Sequence, residues 1–591
     1  MLQNFNVMRK YIITKGEKSF EATEEQSRFF DFIEHGSGNA VIKASAGSAK
    51  TSTIENCLKY IPEDKKVLFI AFNVSVRDEI QKDVARDRAI TKITTFHGLG
   101  YTFVLNNLEH KPEIYEYKYK KFINDQIDQL TSFKETKSLK ALRTQYIRNI
   151  NRLVEYARYY CVMKPKDIAN LTNIYSDIVL IRDEAEVASE VLKWGQNETS
   201  IIDYTDMIWL PYVLNMESKA IKFDYVFVDE AQDVTVAEEK LVEKVKGRGC
   251  RFVAVGDENQ RINVWCGASK AAMDNFKNAP NTKLFKLSTS FRIPKIGERL
   301  VHENFPDIEI HSAENAIEGA IRYDVSPSTI GERSMVLCRN LAPLLKSMLS
   351  VMRMNKTCYL KGWENELELF QNIVKEYKST YIDRKMLTTD GLFPQLYKTM
   401  FQKIDLLVEH HGLSYDEALV NDSVLDFYDK ILSLDVLSEG LSTTEELMEK
   451  LNIIFSKDND TKDAIIFSTV HKAKGLEADN VFIVRPSLMP NPYAHADWEV
   501  EAERNLQYVA YTRFKQTLNF IKENKWEIFS GDTKQNLKKE LEDIKERIGY
   551  EKGNINPLKN CFSTEDIKIK KEDKKINHKV KGGLKFGNLL K

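Results

Sequence analysis

The chain has 591 residues, 42% hydrophobic and 29% charged, which is material for about four folding units of ~150 residues and excludes a wholly disordered chain. Its 86 Lys+Arg against 87 Asp+Glu leave a net charge of −1, which argues against a protein that coats nucleic acid by bulk charge but not against a groove with local contacts. The richest apolar run, Met207 to Leu214, is short and broken by Pro211, so no membrane span is expected. The N-terminal residues lack the basic-then-apolar layout of a secretion signal, and the seven cysteines are scattered without a CxxC pair. A cytoplasmic protein with reduced thiols is the expectation.

Short apolar strands alternate with helical segments in two regions, the pattern of parallel α/β sheets. The first region predicts strands at Ala40–Lys43, Lys66–Ala71, Tyr225–Val228 and Phe252–Val255. The second predicts them at Ser334–Cys338, Ala464–Thr469 and Asn480–Val484. Helical periodicity takes over near 103–200, as in YEYKYKKFINDQIDQL, and near 370–460, as in FQKIDLLVEHHGLSYDEALV. From Glu551 the composition changes to 11 Lys and five acids in the last 41 residues, ending KVKGGLKFGNLLK. That tail reads as a disordered, solvated segment or as a peptide that docks a protein partner or DNA.

The strand AVIK runs into Ala44-Ser45-Ala46-Gly47-Ser48-Ala49-Lys50-Thr51 and then a helix. A loop of small residues there lets backbone N–H groups of Ala46, Gly47, Ser48 and Ala49 wrap phosphates, with Lys50 on the β/γ-phosphates and Thr51 a hydroxyl ligand for Mg2+. The strict pattern GxxxxGK[ST] is not met, since Ala44 and Ala49 stand at the glycine positions. On its own this stretch is also compatible with a plain small-residue helix start. Downstream, YVFV leads into Asp229-Glu230-Ala231-Gln232-Asp233. Acids at a strand end can hold Mg2+, the role expected of Asp229, and orient or deprotonate water, the role expected of Glu230.

Further segments complete a series. They are Gln26 in FEATEEQSRFF, Thr95-Phe96-His97-Gly98-Leu99, Gly256-Asp257-Glu258-Asn259-Gln260 and Leu287-Ser288-Thr289-Ser290-Phe291-Arg292. After them come Thr469-Val470-His471-Lys472-Ala473-Lys474-Gly475-Leu476-Glu477 and Tyr508-Val509-Ala510-Tyr511-Thr512-Arg513. In this order the motifs resemble those of superfamily 1 helicases of the UvrD/Rep type, from Gln26 to Arg513. KASAGSAKTSTI and FIAFNVS resemble the F-box helicase branch in particular, although no F-box is recognisable.

The resemblance implies an α/β protein of two RecA-like P-loop NTPase domains, each with an inserted helical subdomain, and ATP with Mg2+ in the cleft between them. The expected division is a first RecA-like domain at 1–102 and 201–285 with a helical insert at 103–200. A second follows at 286–370 and 461–550 with an insert at 371–460, then the tail at 551–591. The resemblance also implies that Gln26 reads the adenine edge, Phe291 stacks on the base and Glu477 accepts from the ribose. Gln260 would sense the γ-phosphate, and Arg292 and Arg513 would stabilise charge on it, an effect of ~10³–10⁵ in rate for arginine fingers.

For DNA, the matching positions are Phe72 and Trp265 as base-stacking residues, at ~1–3 kcal/mol per base, with Thr95 and His97 along the backbone path. Core packing of Phe72 or Trp265, and an ordinary loop histidine at His97, are the competing assignments. The implied activity is an ATP-dependent, 3′-to-5′ translocase and helicase acting on single-stranded DNA and single-/double-strand junctions. The alternatives are an RNA motor and a nucleotide-binding scaffold or loader with weakened hydrolysis. The scaffold reading draws on Ala49 in place of the family's glycine; Asn263 and Cys266 depart from the pattern where nucleotide state couples to the DNA track, and Ser52 where relatives carry an arginine near the base.

Overall fold

The computed structural model describes residues 10–551 apart from 16–17, 85–91, 131–136, 176–177, 179, 181–182, 218–221, 263–269, 364–365, 378, 412, 457–459, 462, 495–496 and 523–533. The expectations for Asn263, Trp265, Cys266 and the Lys-rich tail lie outside the described residues. Two six-stranded sheets dominate, and every pairing in them is parallel. This is the mixed α/β architecture of two RecA-like domains.

The first sheet runs Thr282–Leu287, Asn39–Ala44, Lys246–Gly256, Phe223–Val228, Val67–Ala71, Lys92–Thr95 across its width. Its inner strands carry apolar runs because helices cover both faces: VLFIA at Val67–Ala71 is buried at every position, and Lys246–Gly256 is buried from Phe252 on. Edge strands differ: Thr282–Leu287 alternates exposed and buried residues, and Lys92–Thr95 is half threonine. The second sheet runs Ala320–Val325, Phe514–Ile521, Ala478–Ile483, Met335–Cys338, Ile465–Thr469, Cys358–Leu360.

Each sheet is interrupted by helices. The first set comprises Phe96–Asn107, Lys118–Leu130, Lys137–Tyr159, Pro165–Ala169, Glu184–Asn197 and Tyr204–Val213. Its hydrophobic core is continuous with one face of the first sheet, joining Leu153, Leu192 and Trp209 to Leu68 and Val226. Helices Phe96–Asn107 and Tyr204–Val213 touch so closely at Gly100 that a Cβ there would lie 2.0 Å from the Met207 carbonyl oxygen. A buried ionic knot ties the set together. Lys118 donates to Asp206 at 2.7 Å, and Arg158 donates to both oxygens of Asp203 at 2.7 Å and to Asp206 at 3.2 Å.

The second set comprises Leu367–Glu376, Leu392–His411, Tyr415–Leu419, Asp422–Leu437 and Thr444–Ile454. A helix late in the chain, Lys534–Arg547, packs here rather than on the sheet, burying Leu537, Leu541 and Ile544 in the same core as Phe401 and Leu434. No helix among the described residues is long and apolar enough to cross a membrane. Burial pushes the thiols up, to about 12 at Cys161, Cys338 and Cys358 and about 11 at Cys250, so they stay protonated at neutral pH.

Candidate nucleotide cleft and nucleic-acid track

The phosphate loop leaves the C-terminal end of strand Asn39–Ala44 and enters helix Lys50–Cys57. Gly47 has φ +74°, and a Cβ there would stand 2.5 Å from Arg292 Cβ and 2.7 Å from Ser290 Oγ. Glycine is therefore required both by the backbone and by the second domain pressed against it. Ala49 caps the helix in the left-handed region (φ 56°, ψ 40°) without a side-chain cap bond. The Ser48 hydroxyl is buried with no hydrogen-bond partner among the described residues, a polar group in the loop that a phosphate oxygen would satisfy.

Two acids face this loop from the end of strand Phe223–Val228. Thr51 Oγ1 donates to Asp229 Oδ2 at 3.0 Å, and Lys50 Nζ lies 2.9 Å from Glu230. Glu230 itself is strained, with φ 50°. Burial works against the charges of Lys50 and Glu230, but their attraction outweighs it: Lys50 is raised and Glu230, with help from Lys474, is held at about 2. Asp229 has no cation in hydrogen-bond contact among the described residues; burial and the neighbouring Glu230 push it up to about 6. A hydroxyl and a carboxylate in contact at the foot of the loop are the donor set that fits Mg2+.

The second domain closes over the loop with polar contacts. Arg513 is 1% exposed and donates to Gln260 Oε1 at 3.1 Å, while Gln260 Nε2 donates to Asp257 at 2.6 Å. Burial, then the neighbouring Arg292, depresses Arg513 to about 9. Arg292 donates to Glu477 at 2.6 Å, and Lys515 pairs with the other oxygen of Glu477 at 2.7 Å. Lys474 is ion-paired with Asp233. The Phe291 N–H donates to the Gly47 carbonyl at 2.9 Å, leaving the Phe291 ring 54% exposed at the cleft.

One contact had no counterpart in the motif reading. The fully buried Tyr508 hydroxyl accepts the Ala46 N–H at 3.1 Å and lies 3.5 Å from Asp257 Oδ2. Tyr508 sits within the YVAYTR segment, but its type alone carried no hint of a backbone partner in the loop. Lys474 likewise lies inside the Thr469–Glu477 motif, whose pattern assigns it no role.

Gln26 and Glu477 are engaged inside the protein. The Gln26 amide is buried: Oε1 accepts the Thr23 N–H, closing a capping box, and Nε2 donates to Thr53 Oγ1 at 2.9 Å on the phosphate-loop helix. Glu477 lies between Arg292 and Lys515, and both cations hold its carboxyl down at about 2 against partial burial.

The residues expected along a DNA path lie at the strand ends of the first sheet. Phe72 follows strand Val67–Ala71 and is 46% exposed, with the Lys474 ammonium 5.9 Å from its ring centroid, so it is not a core residue. Thr95 is the N-cap of helix Phe96–Asn107, its hydroxyl accepting the Gly98 N–H at 3.2 Å. His97 is exposed and meets exposed Tyr204 edge-on at 6.3 Å. The pattern-based reading did not single out Tyr204.

A small-residue loop on one parallel sheet, with Arg292 and Arg513 of a second sheet's domain beside it, is the arrangement of a P-loop NTPase with two RecA-like domains. The chain belongs to the UvrD/Rep-like helicase family: a UvrD/REP helicase N-terminal domain matches residues 24–281 and a UvrD-like helicase C-terminal domain matches 258–525. Among its relatives, the ATP-dependent DNA helicase Rep of Buchnera aphidicola subsp. Baizongia pistaciae is 24% identical over 339 residues, 54% of this chain and 48% of that protein. The F-box DNA helicase protein 1 of Schizosaccharomyces pombe is 25% identical over 522 residues, 81% of this chain and 55% of that protein. The ATP-dependent DNA helicase PcrA of Staphylococcus aureus is 22% identical over 606 residues, 81% of this chain and 80% of that protein. The chain spans about half the length of the first of these relatives.

Proposed function

We propose that this chain is an ATP-dependent translocase on single-stranded DNA and a DNA helicase that moves 3′-to-5′. The observation that carries the reading is the set of bonds closing the cleft: Lys50–Glu230 and Thr51–Asp229 on one side, Arg513–Gln260 across it. The direction of movement rests on the family resemblance alone.

In this reading Lys50 and the loop N–H groups of Ala46 to Ala49 hold the β- and γ-phosphates, with the Ser48 hydroxyl as a further donor. Thr51 and Asp229 hold Mg2+, which supplies charge neutralisation on the phosphates when bound. Glu230, kept ionised by Lys50, orients the attacking water and takes its proton. Arg292 and Arg513 place positive charge on the γ-phosphate, and Gln260 ties Arg513 to the first domain. Arg292 has to leave Glu477 for this, which frees Glu477 Oε2 for a ribose hydroxyl while Oε1 stays paired with Lys515. The Phe291 ring flanks the adenine, and Gln26 reads its edge once the amide has left Thr23 and Thr53. Opening and closing of these bonds alternates the grip of the two domains on a strand that passes Phe72, Thr95 and His97 and, outside the described residues, Trp265. Single-/double-strand junctions are the natural substrates, and the Lys-rich tail is a place for a protein partner.

The test is steady-state ATP hydrolysis with and without single-stranded DNA, in wild type and Lys50→Ala. Stimulation that disappears in the variant supports the motor, and absence of stimulated turnover by wild type rejects it. Equal stimulation by RNA would reassign the track. One observation favours a second reading, a nucleotide-binding scaffold with weak hydrolysis: Ala49 carries a methyl group in the left-handed region where the family pattern has glycine. Tight ATP binding without turnover would select it.

A further inference from the structure

Away from the nucleotide, a second cluster of metal-ligating side chains is assembled from two elements. Helix Lys295–Asn304 carries Glu298 and His302 one turn apart, on the same face. The short strand His311–Ser312, paired in parallel with Thr289–Ser290, brings up His311. One ligand atom from each of Glu298, His302 and His311 lies within 4.8 Å of the others, and this is the one such group among the described residues. Glu298 is already aimed. Its Oε2 accepts the Ser312 N–H at 2.8 Å and the Ser312 hydroxyl at 2.6 Å, which leaves Oε1 facing His311 Nδ1 at 3.2 Å. The two imidazoles meet edge to face, with centroids 5.8 Å apart.

We propose that Glu298, His302 and His311 form a binding site for a divalent cation of the zinc class. Two imidazoles and one carboxylate suit Zn2+, with Ni2+ and Cu2+ as stronger competitors in solution. Mg2+ prefers all-oxygen coordination and stays out. Metal–ligand bonds of about 2.0–2.2 Å in a tetrahedral site bring ligand atoms about 3.4 Å apart. The cluster therefore has to contract by less than about 1.5 Å, a rotation that the exposed His302 and His311 side chains can make. Water fills the fourth position. Ser312 orients the carboxylate, the supporting contact that metal sites use to fix a ligand.

The place of the site gives it a consequence. The His311 N–H donates to the Ser288 carbonyl at 2.8 Å and the Ala313 N–H to the Ser290 carbonyl at 2.9 Å, just ahead of Phe291 and Arg292. Helix Lys295–Asn304 begins three residues after Arg292. A cation bridging the helix and the strand would staple the segment that carries Arg292 from both sides.

The test is titration calorimetry of the full chain, stripped of metal with a chelator and kept reduced, using Zn2+ in millimolar Mg2+. Saturable uptake with a Kd of micromolar order is expected, lost by at least tenfold in His302→Ala and in His311→Ala. Ser312→Ala should weaken it about tenfold, as removal of a supporting contact does. Both histidines are exposed, so circular dichroism and metal-free melting of the variants should match wild type. Zinc uptake identical in wild type and both histidine variants would assign it to the cysteine thiols and overturn the proposal, as would the absence of saturation below 100 µM. Neither outcome depends on whether the chain hydrolyses ATP.

Discussion

Tyr508 and Ala49 are the two residues of the cleft whose side chains make the sharpest experiments. Replacing Tyr508 by Phe keeps the buried ring and deletes the hydroxyl, leaving the Ala46 N–H without its partner, at a cost of about 1–3 kcal/mol. If that hydroxyl keeps the loop in register with Arg513, Tyr508→Phe should lower kcat for ATP about tenfold, together with a fall of a few degrees in melting temperature. Hydrogen exchange at residues 44–50 should rise as well. Unchanged kcat and exchange would show the contact to be incidental. At Ala49 the left-handed backbone costs roughly 1–2 kcal/mol with a methyl group present, so Ala49→Gly should raise thermal stability or leave it level. A clear fall in melting temperature would mean that the loop is not strained there. At this scale Lys50, Thr51, Asp229 and Glu230 were legible because charge at a strand end next to a small-residue loop is local information. The Tyr508 contact was not, because its partner is a backbone N–H 462 positions away along the chain.

Most of the buried strands are legible in the sequence, whereas the inner strand Phe514–Ile521 and the short, fully buried Cys358–Leu360 are not. Strands Asn39–Ala44 and Val67–Ala71 read directly as apolar runs, and the structure lengthens Phe252–Val255 back to Lys246. The edge strands Thr282–Leu287, Lys92–Thr95 and Ala320–Val325 went unread because one side faces solvent and dilutes the apolar signal. Helix Val236–Val245 offers a pH experiment. It starts with a capping box in which Glu238 bonds back to Thr235, and burial pushes the Glu238 carboxyl up to about 7 against those bonds. A carboxyl raised in the fold contributes stability below its ordinary value near 4.5, and that contribution fades as pH rises through about 7. Glutamine keeps the cap without the charge. Glu238→Gln should therefore gain about 1–2 kcal/mol on wild type between pH 5 and pH 8 in denaturant unfolding. Parallel stability curves over that range would refute the assignment.

For the whole molecule, composition and motif order were sufficient for two RecA-like domains, but not for the path of the chain after them. Helix Lys534–Arg547 has an amphipathic pattern that says nothing about which surface it covers. The structure gives it the second helical set, where Leu541 is 1% exposed. Leu541→Ala should cost about 2–4 kcal/mol and lower the unfolding temperature of that set. Hydrogen exchange should rise across Leu392–His411 while the first sheet keeps its protection; no change would mean that the helix is not docked. Opposite ends of the described chain are thus bolted to different bodies. Tyr11 packs among Phe30 and Tyr60 beside the first sheet, and Tyr550 donates to Asp405 at 2.7 Å in the second helical set. A fluorophore next to each tyrosine would turn the protein into its own ruler, reporting the distance between those bodies as nucleotide is added.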